Sequence, residues 1–320
     1  MEILGLDVGK RELHAVLLQD DRAASKSVPN SPTGIAQLQT SLKNRRVVSR
    51  VHVCLEATGG WSEDVAIALN EAGHTVSLVN PSRIRAFAQS EMVRTKTDRV
   101  DAASIARFCR MRVPEAWRPP APVIRTLQGL VRRYQSLIEM RTEEQNRLGA
   151  PIVTAPVKAS ITAMLEHLEC ELEPVDREIA QLFDQHPPLR RQRDLLLSIP
   201  GIGETTAARI LGEMPNIVEF RDVKAVSAFA GLCPQHYESG SIRRPSRLAK
   251  SGNADLRQAL YWPAISAMRY NAILRAFADR LRERGKANMT IIAAVMRKLL
   301  TLAYGVLKSG RAFDPRYANS

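Results

Sequence analysis

The sequence has 320 residues, of which 45% are hydrophobic and 25% charged, so it can form two or three folded domains and is not typical of a disordered chain. Lys and Arg total 46 against 33 Asp and Glu, and the net charge of +13 favours a polyanionic partner such as nucleic acid. The four cysteines form no CxxC pair, and no basic region precedes an apolar stretch at the N-terminus. We therefore expect buried, reduced thiols, no signal peptide, no membrane span and a cytoplasmic protein.

Short apolar strands alternate with helical stretches over residues 1–118, which predicts an α/β domain around a mixed sheet. The first two predicted strands form a hairpin through Gly9-Lys10-Arg11. The predicted strands are residues 2–8, 13–19, 51–55 and 75–79, and the predicted helices are residues 61–72, a helix opening at Asn80-Pro81, and residues 100–111.

Four acids fall at the ends of these elements. Asp7 closes the first strand, Glu56 follows the third, and Asp98 and Asp101 share one face at the start of a helix. At one edge of the sheet, such carboxylates repel each other unless a divalent cation lies between them, and Mg²⁺ prefers these oxygen ligands. A single acid in such a position is more often a helix cap or a surface charge, and it is the ordered set of four that favours a metal site.

Two cations and a tryptophan lie near these acids in the sequence. Arg94 and Lys96 precede the acid pair and either hold a phosphate backbone or form a plain charged loop. Trp61 either stacks on a base or belongs to the core, and the core is the more frequent place for a tryptophan.

A proline-rich linker at residues 117–122 leads into a helical middle segment, residues 119–187. Leucines and other apolar residues repeat there at spacings of three and four, with breaks expected at Pro151 and Pro156 and a kink at Pro174. The pattern predicts a coiled-coil arm or dimerising element, and two ordinary packed helices would give the same pattern.

The mainly helical remainder, residues 188–320, contains a helix-hairpin-helix pattern at residues 195–211. Its Pro-Gly-Ile-Gly turn, with Gly201 and Gly203, could present backbone N–H groups to a DNA phosphate. A plain helix–turn–helix connection remains the alternative.

A glycine-containing basic loop follows, in which Ser239 and Ser241 are hydroxyl nucleophile candidates. No acidic residue occurs between Ser239 and Ala254, and His236 is near in sequence without supplying an obvious base. From the residues alone, a phosphate-binding loop is the simpler interpretation. The cations available to phosphate oxygens are Arg243, Arg244, Arg247 and Lys250.

With these motifs in place, the chain resembles the DEDD-type insertion-sequence transposases, a group that includes Piv-type DNA invertases and bridge-RNA-guided recombinases. The resemblance covers nearly the whole chain. Its carriers are Gly-Leu-Asp-Val-Gly-Lys from Gly5, Leu-Glu-Ala-Thr-Gly from Leu55, Lys-Thr-Asp-Arg-Val-Asp-Ala from Lys96, Ile-Pro-Gly-Ile-Gly from Ile199, Phe-Ala-Gly-Leu-Cys-Pro from Phe229 and Tyr-Glu-Ser-Gly-Ser from Tyr237.

The resemblance implies an α/β RNase-H/RuvC-like N-terminal domain, a helical coiled-coil middle and a mainly α C-terminal transposase domain with a helix-hairpin-helix. It also implies a Mg²⁺ site formed by Asp7, Glu56, Asp98 and Asp101, and a serine nucleophile that matches Ser239. Expected partners are target and donor DNA, a bridge RNA and further copies of the chain, as a dimer or tetramer.

Three rival interpretations remain open at this stage. A RuvC-like nuclease or junction resolvase would use only the acids, with Ser239 binding phosphate. A non-catalytic binding protein would need only the charge and the hairpin. A protein-guided DNA invertase would use the same chemistry without RNA.

Overall fold

The computed structural model describes residues 2–20, 22–44, 50–93, 95, 97–151, 154–239, 242–249 and 251–316. It divides the chain between Pro119 and Pro120 into two compact units. The predicted division into residues 1–118, 119–187 and 188–320 stays a prediction.

The first unit is built on a five-stranded mixed sheet, in the strand order β3-β2-β1-β4-β5. The strand β1 pairs antiparallel with β2 and parallel with β4, β4 pairs parallel with β5, and β2 pairs antiparallel with β3. The α/β prediction is thereby confirmed. Its elements are β1 Ile3–Val8, β2 Glu12–Gln19, β3 Arg22–Pro29, α1 Pro32–Asn44, β4 His52–Glu56, α2 Gly60–Glu71, β5 Thr75–Val79, α3 Pro81–Ser90 and α4 Asp98–Arg112.

Helices cover both faces of this sheet, and for this reason most residues of its central strands are apolar. Leu4, Leu6 and Val8 of β1 belong to a core with the helices α1 and α2. Ile3 of β1 and Cys54 of β4 belong to a second core with α3 and α4. Alternation along β1 therefore places Gly5 and Asp7 on the α4 side.

Gly5 permits the closest approach between this sheet and α4. A Cβ at this position would overlap the backbone of Ala102 and Ala106, which are both on α4. The backbone can relieve such an overlap only by moving the helix away from β1.

The second unit is mainly helical, as predicted. Its core includes Leu127, Leu196, Leu260 and Leu300. Its elements are α5 Pro122–Leu148, α6 Ala155–Gln185, α7 Pro187–Leu197, α8 Glu204–Glu213, a 3-10 turn Ile217–Glu219, α9 Val223–Phe229, β6 Pro234–Ser239, β7 Ile242–Leu248, α10 Ala254–Tyr270, α11 Ala272–Glu283 and α12 Asn288–Ser309.

The helices α5 and α6 pack against each other within this unit. Leu137 of α5 joins Leu168 and Leu172 of α6 in a small apolar cluster. α6 continues on both sides of Pro174. The repeating apolar positions are thus used at least partly inside one chain, and pairing between chains stays a prediction.

Three expectations from the sequence were wrong. The loop predicted after Tyr237 is a β-hairpin, β6–β7. Cys170 is exposed, whereas Cys54 and Cys109 are buried. We expected no stretch apolar enough to cross a membrane, yet among the described residues α12 is long and apolar enough to do so. Half of its apolar stretch is buried in this unit, and Leu299 and Leu300 are core residues.

We expect Gly5→Ala to lower the free energy of unfolding by about 1–3 kcal/mol, the usual cost of overpacking a core contact. The control is Gly60→Ala, where an added Cβ meets no heavy atom within 4 Å. Chemical denaturation of both variants measures the difference. Equal stabilities would show that α4 does not need the close approach at Gly5.

Candidate functional site

The four predicted acids lie on elements that meet at one end of the sheet in the first unit. The β1–β4 register pairs Leu6 with Leu55, so the next residues along, Asp7 and Glu56, lie side by side. Adjacent strands are about 4.8 Å apart. Glu56 shares the α4-facing side of β4 with Cys54, two residues earlier.

The helix α4 brings the other two acids to this end. Thr97 caps the helix by accepting a hydrogen bond from the Val100 N–H at 3.3 Å, and Asp98 and Asp101 occupy the first turn. The direction of α4 follows from two contacts. Ala102 and Ala106 lie over Gly5, whereas Asp98 lies next to the residue that pairs with Asp7.

That residue is His14, which the sequence interpretation missed. His14 is paired with Asp7 across the β1–β2 ladder, and its Nε2 lies 3.2 Å from Asp98 Oδ2. The same nitrogen lies 3.6 Å from Glu12 Oε2. The predicted turn at residues 9–11 joins the predicted strands 2–8 and 13–19. Counting outward from that turn places His14 opposite Asp7, so the sequence did contain a signal for this pair.

The acid set suits a hard, oxygen-binding cation by its donor chemistry. Asp7, Glu56 and Asp101 are half-buried and Asp98 is exposed, so solvent reaches the set. Within the described residues, no three His, Cys, Asp or Glu side chains are already arranged as a complete set of metal ligands. The structure therefore brings the four acids to one end of the sheet without a closed coordination geometry.

Arg94, Lys96 and Trp61 are the other residues of the first unit for which the sequence suggested a role. Arg94 and Lys96 lie outside the described residues. Trp61 is 51% exposed, which is inconsistent with the core position that the sequence favoured. Trp117, by contrast, packs against the core.

In the second unit, Ser239 is the last residue of β6, at the tip of the β6–β7 hairpin. Its backbone pairs with Ile242, and Arg243 and Arg244 pair with Glu238 and Tyr237 on the opposite strand. Arg247 is exposed. Ser241 and Lys250 lie outside the described residues.

The base of this hairpin is closely packed. A Cβ on Gly252 would overlap the backbone of Phe229 and Gly231, so the two chain segments that enter and leave the hairpin are in contact there. Arg257 donates hydrogen bonds from Nη1 to the carbonyls of Ala230 and Gly252, at 3.1 and 3.0 Å. The strand that carries Ser239 therefore starts from a fixed position.

A charge pair with a buried carboxylate and a partly exposed arginine lies next to this base. Arg132 of α5 donates from Nε and Nη2 to the two carboxylate oxygens of Glu213, at 2.7 and 2.9 Å, and Glu213 is 2% exposed. Asn253 donates to Glu213 Oε2 at 3.1 Å and caps α10 by accepting from the Leu256 N–H. Burial lowers the pKa of the neighbouring Arg209, and Glu213 opposes that shift.

The predicted helix-hairpin-helix corresponds to α7, the connection 198–203 and α8. Gly201 has φ +108°, and a Cβ there would lie 2.5 Å from Ala267 Cβ on α10. Packing on α10 alone thus explains this glycine. Gly203 has no heavy atom within 4 Å of an added Cβ, so its surroundings are open.

Comparisons with known proteins show the family of this chain. A transposase family profile of the DEDD IS110 type matches residues 4–153, and a second profile, for transposases of the IS116/IS110/IS902 family, matches residues 193–279. The pilin gene-inverting protein of Moraxella bovis is 32% identical over 317 residues, covering 98% of each chain. The chain belongs to the IS116/IS110/IS902 transposase family.

A second family member extends the comparison. The transposase of insertion element IS1328 from Yersinia enterocolitica is 25% identical, covering 82% of this chain and 85% of its own. Membership of the family confirms the predicted resemblance and the prediction of a transposase or recombinase, an enzyme that acts on DNA.

Among solved structures, T. thermophilus RuvC bound to a Holliday junction matches 37% of this chain and 99% of its own, with 18% identity and a TM-score of 0.28. That score is too low to carry an argument. The family assignment does not depend on it.

We expect Arg132→Met to destabilise the second unit by about 1.5–3 kcal/mol, because the buried Glu213 carboxylate loses two charge-assisted hydrogen bonds and keeps the one from Asn253. The matched control is Arg177→Met on α6, where the pair with Glu173 is exposed on both sides. Exposed pairs contribute below about 0.5 kcal/mol. Urea denaturation compares the two variants, and equal losses would contradict a structural role for the Arg132–Glu213 pair.

Proposed function

We propose that this protein is a DNA recombinase that cuts and rejoins DNA with Ser239 as nucleophile and with Asp7, Glu56, Asp98 and Asp101 as the ligands of Mg²⁺. The observation that carries the proposal is the β1–β4 register beside the N-terminus of α4, which gathers these acids at one end of the sheet. The family profile that spans residues 4–153 includes all four.

Mg²⁺ bound there would stabilise the charge that develops on a phosphate during displacement. The chain's own residues prepare for that charge. The N-terminus of α4 favours the carboxylates of Asp98 and Asp101 in its first turn. His14, at 3.2 Å from Asp98, restricts where that carboxylate can lie.

The proposed chemical step is a transesterification. The Ser239 hydroxyl oxygen attacks phosphorus, the bond between phosphorus and the 3′ oxygen breaks, and the hydroxyl proton ends on the released 3′-hydroxyl. A covalent serine–phosphate–DNA ester then holds the cut end, and attack by another 3′-hydroxyl reverses the step on a new strand. Arg243, Arg244, Arg247 and Lys250, close to Ser239 in the sequence, would hold the non-bridging oxygens.

Other parts of the chain would bind the nucleic acid backbone. Arg94 and Lys96, before α4, and the Gly201–Gly203 connection are the proposed phosphate contacts. The net charge of +13 supports a large polyanionic substrate. The name of the Moraxella bovis relative, a pilin gene-inverting protein, supports DNA inversion as one outcome of the reaction.

We further propose that a bridge RNA selects the DNA sites, that the protein acts as a dimer or tetramer, and that it works in the bacterial cytosol. These points follow from the family resemblance. The helices α5 and α6 are the proposed oligomer contact, because several of their apolar side chains remain only half-buried.

We expect Ser239→Ala to abolish a protease-sensitive covalent adduct on labelled DNA, because the variant lacks the attacking oxygen. Asp7→Asn should also abolish cutting, since it removes a ligand charge. Ser241→Ala, two residues away, is the matched control and should retain the adduct. Denaturing gels with and without protease measure both species.

The outcomes separate the rival functions. Cutting by Ser239→Ala at the normal rate, without an adduct, would establish a metal-dependent nuclease instead. An adduct lost in Ser241→Ala and kept in Ser239→Ala would move the nucleophile to Ser241. DNA binding without cutting by any form would leave a binding protein.

We expect a single structured RNA, transcribed from DNA beside the gene, to copurify with the protein. Changing its pairing segments should redirect recombination to the matching DNA, because base pairing rather than protein contacts would choose the sites. Sequencing of bound RNA followed by a reprogrammed recombination assay measures this. Full activity of RNA-free protein at one fixed site would support a protein-guided invertase.

A further inference from the structure

Trp61 is an exposed aromatic side chain at the end of the sheet where the acids lie. It is the second residue of α2, five residues after Glu56, so the two Cα atoms are at most about 17 Å apart. Half of the residue is exposed, although tryptophan is usually mostly buried. Packing inside this unit therefore does not account for it.

Hydrogen bonds order the turn that precedes Trp61. Gly59 has φ +87°, and the buried Ser62 hydroxyl donates to the Gly59 carbonyl at 2.8 Å and accepts from the Thr58 N–H at 3.1 Å. An added Cβ on Gly59 or Gly60 would meet no heavy atom within 4 Å. The space in front of this turn is open to a ligand.

The ammonium group of Lys10, from the β1–β2 turn, lies near the Trp61 indole. Lys10, in the β1–β2 turn three residues after Asp7, places its Nζ 6.0 Å from the centroid of the Trp61 ring. Asn30 supports this turn by donating to the Gly9 carbonyl at 2.9 Å. Lys10 and its neighbour Arg11 are both exposed, so the turn presents positive charge.

We propose that Trp61 and Lys10 bind one unpaired nucleotide of the DNA strand beside the cleavage position. The indole stacks on the base, and the ammonium group pairs with the adjacent phosphate. A base can offer its face to the indole only after it has left the duplex stack, so the site favours unpaired DNA over duplex DNA. The assignment rests on the proposed function of the neighbouring acids.

The test is a binding assay in EDTA, in which no cutting occurs. Fluorescence anisotropy compares a labelled single-stranded oligonucleotide, an abasic oligonucleotide of the same length and a duplex. We expect Trp61→Ala to weaken single-strand binding by roughly 5- to 100-fold, the range for one lost base stack. Trp61→Phe should retain most of the affinity, and the abasic strand should bind wild type and Trp61→Ala alike.

Two further variants sharpen the result. Trp262→Ala removes an exposed tryptophan, 73% exposed, from the second unit and should leave binding unchanged. Lys10→Met removes one phosphate contact, so the slope of log K against log salt concentration should become shallower by about one. Equal binding of wild type and Trp61→Ala to the normal strand would overturn the proposal. Because this assay needs neither Ser239 nor metal, it can fail while the covalent adduct persists, or succeed while the adduct is absent.

Discussion

The arrangement of the first unit depends on the contact between β1 and α4 at Gly5. An ordinary side chain at this position would keep the helix away from the sheet, because the atoms it would meet are backbone atoms of Ala102 and Ala106 that cannot rotate aside. With glycine there, the start of α4 lies at the end of the sheet where Asp7 and Glu56 are neighbours. The glycine thus helps to determine that the first turn of α4, with Asp98 and Asp101, lies at the end of the sheet that carries Asp7 and Glu56.

Carboxylates brought close together carry an electrostatic cost unless a cation or a hydrogen-bond donor lies between them. Neighbouring carboxylates repel, and desolvation of half-buried acids adds to the cost. The N-terminus of α4 favours the carboxylates of its first turn, and His14 lies 3.2 Å from Asp98, so the fold itself offsets some of this cost. Carboxylates on neighbouring elements at one end of a sheet are the ligand type that a divalent cation prefers, and this is the physical reason for proposing a catalytic role rather than four unrelated surface acids.

The sequence predicted those elements whose pattern is carried by buried residues on both faces, namely β1, β4 and β5, and helices with a clear cap such as Asn80 of α3. It missed the helix α1, Pro32–Asn44, and it also failed where pairing alone creates the element. The strand β3 is mostly exposed and rich in Ala and Ser, and the β6–β7 hairpin is full of Arg, Ser and Gly, so neither has the apolar alternation of a strand. The pair of His14 with Asp98 was also beyond a linear pattern, because it joins a strand to a helix more than eighty residues away.

The difference between a recombinase and a nuclease can be located in the second unit. A nuclease releases the cut DNA strand, whereas a serine ester must hold the DNA until another 3′-hydroxyl attacks. The β-strand that carries the serine, β6, should therefore start from a fixed position in the protein. The backbone contact of Gly231 with Gly252, the hydrogen bonds of Arg257 and the pair of Arg132 with Glu213 provide one at the base of the hairpin. Of the Arg132–Glu213 pair, only the carboxylate is buried, and Asn253, which precedes α10, donates to it as well. The fixed base of the hairpin is therefore the structural feature on which the proposed role of Ser239 as nucleophile would depend.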